Sequence, residues 1–539
     1  MVNKQSFIKG TIILMAANAI SKILGAVFKI PLTYLLREEG MAIYNTAFNV
    51  YIMLLSFIIS GMPLAISKII AEESELGHVA NVKKIMTVST LLLGVLGFAG
   101  SLILWLGADF FAYAMKEPKA FFCLKVIAPA IFFVAVGTAY KSFYQGRSNM
   151  TPTAISQVIE AFIKLLAGFG LALFYSRTAV EYTAAAAIMG VTIGEIIATF
   201  ILFILYIPHY FRLPSKNADM PSKKIIDSIL LIAVPSVIAS VISGAMNLVD
   251  ITVIRRCIEA ITFTAESAEK FLCRYSSYTD VFDNIFETYS ISPEGSRWLY
   301  GSYSGYALTV FHLPVGILAS LGVSILPIIA SALAVNNNQR VNACIAAASK
   351  ITLLICLPAA FCIALFSEPI LSILFRNTAS AQMLQYLAPC LVFITLAQLF
   401  GVIANAGGQI ITPFIFAFIG AVIKIIFNII LIRIPDINML GTAISADIAY
   451  FVVMLLSYIS IKRHFGFNLS LLKIALKPLF CAAVAAGVMY AIYNPFTIIF
   501  RGEILPFAMC GAVGTVSYLL ALICSGAISS EEMCLLHSK

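Results

Sequence analysis

The amino-acid sequence predicts an all-α protein that crosses a membrane about fourteen times. Composition, the length of the apolar segments and an internal repeat support this prediction. Of the 539 residues, 61% are apolar and only 11% are charged, and the mean hydropathy is +0.97. Soluble proteins contain about 25% charged residues, so water is not the main solvent of this chain.

Apolar segments long enough to span a bilayer recur along the whole chain. A hydrocarbon core about 30 Å thick requires about 20 helical residues, and an open sheet edge cannot face lipid. The first segment is too long for the apolar part of a signal peptide, and it contains two lysines, so we expect a retained helix. The predicted segments are 10–36, 41–68, 85–115, 121–145, 153–176, 182–211, 225–254, 302–333, 343–367, 383–405, 411–433, 440–462, 473–493 and 504–527.

Basic residues between the apolar segments predict the orientation. With both termini in the cytoplasm, the cytoplasmic segments hold most of the lysines and arginines, including Lys83-Lys84, Lys223-Lys224 and Lys462-Arg463. We therefore expect a multi-pass plasma-membrane protein with both termini in the cytoplasm. Because the net charge of +9 comes from these scattered segments, it does not indicate a nucleic-acid partner.

An internal repeat predicts how the helices are organised. The two copies lie six helices apart, so they have the same orientation in the membrane, which is a common transporter design. The sequence thus predicts two parallel six-helix bundles, at 1–215 and 216–466, followed by two helices at 467–539. The matching positions are Ala128-Pro129 with Ala388-Pro389, Thr151-Pro152 with Thr412-Pro413, Ile163-Lys164 with Ile423-Lys424, and Gly61-Met62-Pro63 with Gly322-Val323-Ser324.

One long polar segment, residues 257–300, interrupts the second bundle. It is acidic and aromatic, and we interpret it as an extracytoplasmic insertion with short helices. Cys257 and Cys273 lie within it, and the sequence leaves open whether they are free thiols or a disulfide.

Charged residues inside the first predicted span indicate a polar cavity. A charge at the centre of a bilayer costs about 2.5–3.5 kcal/mol and therefore tends to face a cavity. Asn18, Lys22 and Lys29 share one helix face with Gly25. This cationic stripe suits an anionic substrate such as a pyrophosphate. The alternative is that Lys29 only extends toward the membrane surface.

Other charged residues in the spans are additional candidates. Glu160 and Lys164 have the spacing of an intrahelical ion pair, so they either support their helix or line the cavity. The predicted substrate-binding set is Lys22, Lys29, Asn18, Glu160, Lys164, His312 and Lys424. Candidate carriers of a coupling proton or sodium ion are Asp250, Glu195 and Asp447. The sequence contains no P-loop and no cysteine–histidine cluster, so we predict no cofactor, no metal and no catalytic residues.

Several motifs of this chain resemble the stage V sporulation protein B family. They are Ser21-Lys22-Ile23-Leu24-Gly25, Gly61-Met62-Pro63-Leu64-Ala65 and Tyr144-Gln145-Gly146-Arg147. Leu313-Pro314-Val315-Gly316, followed by Leu326-Pro327, resembles the eighth helix of the MurJ-like branch of the multidrug/oligosaccharidyl-lipid/polysaccharide exporter superfamily. The resemblance implies two six-helix lobes around a cavity, with two extra helices that form a lipid groove.

The resemblance also implies a function. It implies that an undecaprenyl-pyrophosphate-linked saccharide, either a peptidoglycan precursor or a polysaccharide repeat unit, crosses the membrane by alternating access. Lys22 and Lys29 correspond to cavity arginines of the MurJ-like branch, whereas Ser56-Phe57 and Thr309 stand where that branch has other arginines. The implied partners are the lipid-linked substrate, membrane lipids and cell-wall synthesis enzymes.

Two other functions stay open at this point. A cation-coupled small-molecule exporter with the same fold would have an acidic, aromatic cavity and no lipid groove. A non-transporting scaffold in spore or cell-wall assembly would tolerate loss of every charge within the membrane.

Overall fold

A computed structural model describes residues 7–147, 149–212, 220–282, 285–316, 318, 338–409, 411–466, 471–500 and 502–526. Over these ranges the chain forms eighteen α-helices and no strands, which confirms the predicted all-α class. The eleven helices before residue 303 are α1 (Phe7–Ile59), α2 (Met62–Glu75), α3 (Val79–Leu106), α4 (Ala108–Ala114), α5 (Phe121–Gly146), α6 (Thr151–Phe174), α7 (Val180–Arg212), α8 (Ser222–Glu259), α9 (Ala265–Arg274), α10 (Ile285–Thr288) and α11 (Pro293–Ser302).

The remaining seven helices follow a stretch that lies largely outside the described residues. They are α12 (Asn338–Phe375), α13 (Ala381–Tyr386), α14 (Ala388–Ala406), α15 (Thr412–Leu431), α16 (Leu440–Phe465), α17 (Leu471–Ile499) and α18 (Ile504–Cys524).

Eleven helical runs among the described residues are long and apolar enough to cross a membrane. They account for twelve of the predicted segments, because the run Ala16–Ser74 contains the first two. The predicted segment 225–254 lies within α8, and much of the segment 302–333 lies outside the described residues. The helices thus follow the apolar segments of the sequence closely.

Two backbone breaks near the start of the chain correct the predicted boundaries. The predicted connection between the first two spans is a break at Arg37 inside α1, where φ is 50°. The second predicted span, 41–68, is divided at Gly61, where φ is 72°, and Pro63 lies in the first turn of α2. Glycine accepts a left-handed φ without steric cost, and proline suits a first helical turn. Together they restart the helix within an apolar segment.

The chain divides into two compact units. The first unit comprises Met1–Arg256 and Ser296–Gly305, and the second comprises Cys257–Gly295 and Tyr306–Lys539. Most of α8 therefore belongs to the first unit, whereas the predicted boundary after residue 215 assigns it to the second bundle. The division into six-helix bundles stays a prediction.

Each unit contains the same arrangement of three helices. In the first unit α7 packs against α5 and α6, and in the second unit α16 packs against α14 and α15. Thr151-Pro152 begins α6 and Thr412-Pro413 begins α15, so this repeated motif starts the same helix in both copies. Proline fits there because the first helical N–H groups have no partner within the helix. The predicted match at 322–324 lies outside the described residues.

The polar segment 257–300 contains the short helices α9, α10 and most of α11. Thr264 caps α9 by accepting a hydrogen bond from the Ser267 N–H at 3.3 Å. The Phe271 ring of α9 packs against the rings of Tyr275 and Phe282 at centroid distances of 4.8 and 5.0 Å. Burial raises the pKa of the Tyr275 hydroxyl, which therefore stays neutral. Outside this aromatic cluster, Cys257 and Cys273 are both free thiols.

Candidate functional site

The predicted cationic stripe lies on the unbroken part of α1 that precedes Arg37. Lys22 is exposed, and Asn18 and Lys29 are half-buried. Gly25 lies between the two lysines, and a Cβ atom added there would meet no atom within 4 Å. The stripe therefore borders open space rather than packed protein.

Helix α6 brings a third amine to this stripe. The Ser21 hydroxyl donates a hydrogen bond to the Gln157 carbonyl at 3.2 Å, which joins α1 to α6. Lys164 of α6 turns toward α1, and its Nζ lies 5.7 Å from the ring centroid of Phe28 and 5.0 Å from that of Phe48. Aromatic faces attract a cation at such distances.

Lys164 is close enough to the other two lysines to repel both. Lys164 interacts electrostatically with Lys29 and with Lys22. Like charges held together in a membrane-spanning region are unfavourable unless an anion or an acidic side chain compensates them. The predicted residues Lys22, Lys29 and Lys164 thus form one cluster, which we call the amine cluster.

Two acidic side chains border the amine cluster. Glu160 of α6 lies 3.7 Å from the Nζ atom of Lys141 on α5 and also interacts electrostatically with Lys164 of its own helix. The predicted intrahelical pair of Glu160 with Lys164 stays a prediction, and Lys141 is an additional partner from another helix. The buried Glu195 of α7 lies close enough to Glu160, Lys141 and Lys164 to interact with all three electrostatically. The sequence analysis did not identify Lys141 as a residue of this site.

Small residues hold α6 and α7 together at this point. A Cβ atom at Gly194 would lie 3.0 Å from the carbonyl oxygen of Glu160, and one at Gly190 would lie 2.3 Å from the Cα atom of Gly168. The backbones can approach this closely only because these positions lack side chains. The close approach places Glu195 beside Glu160.

The other predicted site residues lie elsewhere in the fold. Asp250 is buried on α8, and Lys424 and His312 belong to the second unit. The half-buried Asp447 lies on α16 of the second unit and interacts electrostatically with Cys390, in the first turn of α14.

The second unit contains an apolar groove beside its last two helices. Helix α17 packs against α12 and α18, and a cavity of about 400 Å³ lies between the three. The Tyr518 hydroxyl donates a hydrogen bond to the Leu354 carbonyl at 2.7 Å and fixes α18 to α12. The groove is lined by residues that include Pro358, Cys362, Ala485, Met489, Gly514 and Tyr518.

Solved structures define the class of protein to which this fold belongs. A structure of lipid II flippase MurJ in an inward closed conformation aligns with 95% of this chain and 98% of its own, at a TM-score of 0.66 and 18% identity. An inward-facing multidrug resistance MATE family transporter of the MOP superfamily aligns with 85% of this chain and 100% of its own, at a TM-score of 0.63 and 13% identity. The chain therefore shares the fold of these two membrane proteins.

The sequence places the chain in a particular family within that class. Residues 7–333, more than half of the chain, match the family described as polysaccharide biosynthesis protein, and the protein belongs to this family. Residues 300–506 match the family described as lipid II flippase MurJ.

Two relatives from Bacillus subtilis (strain 168) match nearly the whole chain. Stage V sporulation protein B is 22% identical over 98% of this chain and 97% of its own. Lipid II flippase MurJ is 22% identical over 86% of this chain and 84% of its own. These matches confirm the resemblance that the sequence motifs indicated.

Proposed function

We propose that this protein moves an undecaprenyl-pyrophosphate-linked saccharide from one leaflet of the plasma membrane to the other by alternating access. Its family, and relatives named as a sporulation protein and a lipid II flippase, support a lipid-linked saccharide as the cargo. The proposal involves no catalytic step and no cofactor. The moving parts we propose are the bundles 1–215 and 216–466, with both termini in the cytoplasm.

The amine cluster is the observation that carries this proposal. A pyrophosphate diester bears two negative charges and has many acceptor oxygens, and lysine ammonium groups bind such groups well. Lys164 repels both Lys22 and Lys29, and a bound pyrophosphate would relieve that repulsion. Asn18 supplies an amide on the same helix face, suited to the saccharide.

The groove between α12, α17 and α18, considered by itself, suits an apolar chain. An apolar prenyl chain gains free energy by lying against apolar side chains, in proportion to the area it covers. We infer that this groove of the second unit binds part of a prenyl chain.

A cation-coupled exporter of small molecules is the second candidate function. Its support is the closeness of two acidic side chains, Glu160 and Glu195, on the spanning helices α6 and α7, because acids within a membrane commonly carry coupling ions. The MATE structures share the fold. This function predicts that Glu160→Gln abolishes transport while Lys22→Ala does not.

Flipping of a fluorescent lipid-linked saccharide in reconstituted vesicles tests the proposal. We expect Lys22→Ala and Lys29→Ala together to reduce the initial rate at least about tenfold, because two charge-assisted contacts to the pyrophosphate are lost. Lys473→Ala is the matched control, since Lys473 is an exposed lysine of the second unit.

Three outcomes would count against the proposal. An unchanged rate in the double variant would remove the amine cluster from the mechanism. A complete lack of flipping by the unaltered protein, together with proton-driven export of a small cation, would favour the second function. Absence of both activities would favour a scaffold in spore or cell-wall assembly.

A further inference from the structure

A larger cavity lies in the first unit, apart from the amine cluster. It has a volume of about 1090 Å³ and lies between α3, α5 and α7. Its lining is almost entirely apolar and aromatic, and it shares no residue with the amine cluster. We call it the α3 groove, and its lining includes Gly94, Val95, Phe98, Phe132, Phe203 and Tyr210.

The shape of the α3 groove fits a hydrocarbon chain. Along α3 it extends from Met86 to Leu102, a distance of about 24 Å at 1.5 Å per helical residue. Leu91, Val95 and Phe98 on its wall are 69%, 61% and 62% exposed. A long apolar groove with one open side admits an extended chain laterally from the bilayer.

One end of the α3 groove is basic. The Nζ atom of Lys83 lies 4.1 Å from the ring centroid of Tyr210, which lines the groove. The guanidinium carbon of Arg147 lies 5.6 Å from the centroid of Phe143, and that ring packs at 4.9 Å on Tyr206, another lining residue. Two cations therefore lie beside the aromatic end of the groove.

A neighbouring segment of the same protein adds positive charge at this end of the groove. The backbone N–H of Met220 donates a hydrogen bond to the Asn81 side chain at 3.4 Å, which brings the start of α8 and Lys223-Lys224 toward the same end. The Glu73 carboxylate beside Asn81 already accepts a hydrogen bond from the Asn81 side chain at 2.7 Å and pairs with His78 at 3.0 Å. Lys84 follows Lys83 in α3, whose N-terminal turn also favours an anion.

We propose that the α3 groove binds a phospholipid with an anionic headgroup. One acyl chain lies along α3, and the headgroup phosphate lies between Lys83, Lys84 and Arg147. The predicted orientation places this end at the cytoplasmic leaflet, where basic side chains attract anionic lipids. The site is distinct from the proposed cargo site, so it holds whether or not the cargo assignment is correct.

Native mass spectrometry of the full-length protein tests the charge requirement. Titration with phosphatidylglycerol and with phosphatidylcholine of identical acyl chains gives a dissociation constant for the first bound lipid. We expect phosphatidylglycerol to bind at least about fivefold more tightly, the contribution of one basic residue near an anionic lipid. Lys83→Gln should weaken phosphatidylglycerol binding about fivefold and leave phosphatidylcholine unchanged, and Lys473→Gln is the control.

Filling the groove tests the position of the acyl chain. A Cβ atom at Gly94 would meet only Val136 Cγ2, at 3.9 Å, so Gly94→Phe places a ring in the groove without a backbone clash. We expect it to remove the tightest phosphatidylglycerol site, whereas Gly170→Phe, at an exposed glycine with no atom near its Cβ position, should not. A photoreactive acyl chain should label peptides of α3, α5 and α7.

Several results would overturn the proposal. Equal affinity for the two phospholipids would exclude the basic end as a headgroup site. Labelling confined to other helices, or binding unaffected by Gly94→Phe in a variant with the parental melting temperature, would exclude the groove. Displacement of phosphatidylglycerol by undecaprenyl phosphate at much lower concentration would assign the groove to the prenyl chain instead.

Discussion

Replacement of Glu117 should be among the most destabilising single changes in the first unit. The Glu117 side chain has no exposed surface, and Arg255 is only 1% exposed. One carboxylate oxygen accepts hydrogen bonds from Arg255 Nη1 at 3.0 Å and from Arg297 Nε at 2.9 Å. The network ties the segment before α5 to the end of α8 and to α11.

The expected magnitude follows from this burial. Removing one member of a buried ion pair costs about 3–5 kcal/mol, because the partner is left charged and desolvated. Glu117→Ala should therefore lower the free energy of unfolding by that amount. Glu39→Ala should cost less than about 1 kcal/mol, although Glu39 lies 2.6 Å from Lys119, because its side chain is 41% exposed. Glu117→Met combined with Arg255→Met should recover most of the loss, since an apolar pair of similar volume replaces the buried charges.

Unfolding in mixed micelles by titration with sodium dodecyl sulfate measures these differences. The three variants and the unaltered protein should be compared at one detergent ratio, with tryptophan fluorescence as the signal. A Glu117→Ala variant no less stable than Glu39→Ala would refute the reasoning. A double variant that is less stable than Glu117→Ala alone would also refute the reasoning. The effects of two contacting residues are coupled, so replacing both buried charges should cost less than removing one.

Four further substitutions probe helix packing and helix ends. Gly190→Ala should lower the melting temperature, at a cost of about 1–3 kcal/mol from overpacking, while Gly170→Ala, in open space, should raise it slightly by favouring the helix. Thr264→Ala should cost about 1 kcal/mol and speed amide hydrogen exchange at Ser267, because α9 loses its N-terminal cap. Tyr518→Phe should cost about 1 kcal/mol in micelle unfolding, through loss of the hydrogen bond between α18 and α12.

Much of the fold could be predicted because the bilayer constrains it so strongly. Twenty apolar residues in succession have one stable conformation in lipid, so composition and segment length identify nearly every spanning helix. The break at Arg37 falls in the predicted connection between the first two spans, whereas the break at Gly61 lies inside the predicted second span. The Gly–x–Pro pattern at 61–63 was the sequence signal for the second break.

The candidate site was predictable where its residues share one helix. Lys22 and Lys29 follow the helical period, so their common face could be read from spacing alone. The partner of Glu160 on α5 could not be predicted from spacing, because Lys141 contacts it from another helix and pairing between helices depends on packing. A lysine in the apolar run of α5 was itself a signal, since such residues are rarely tolerated without a function or a partner.

The chemistry of the first unit supports the flippase over the cation exporter. Its amine cluster, Lys22, Lys29 and Lys164, lies beside Lys141, whose amine pairs with Glu160. A small, soluble cation would be repelled by this cluster, whereas a pyrophosphate head group would be attracted to it. The second unit, considered by itself, contains an apolar groove beside α17 and α18 that suits a prenyl chain and offers nothing to a soluble cation. Each unit on its own therefore favours the flippase.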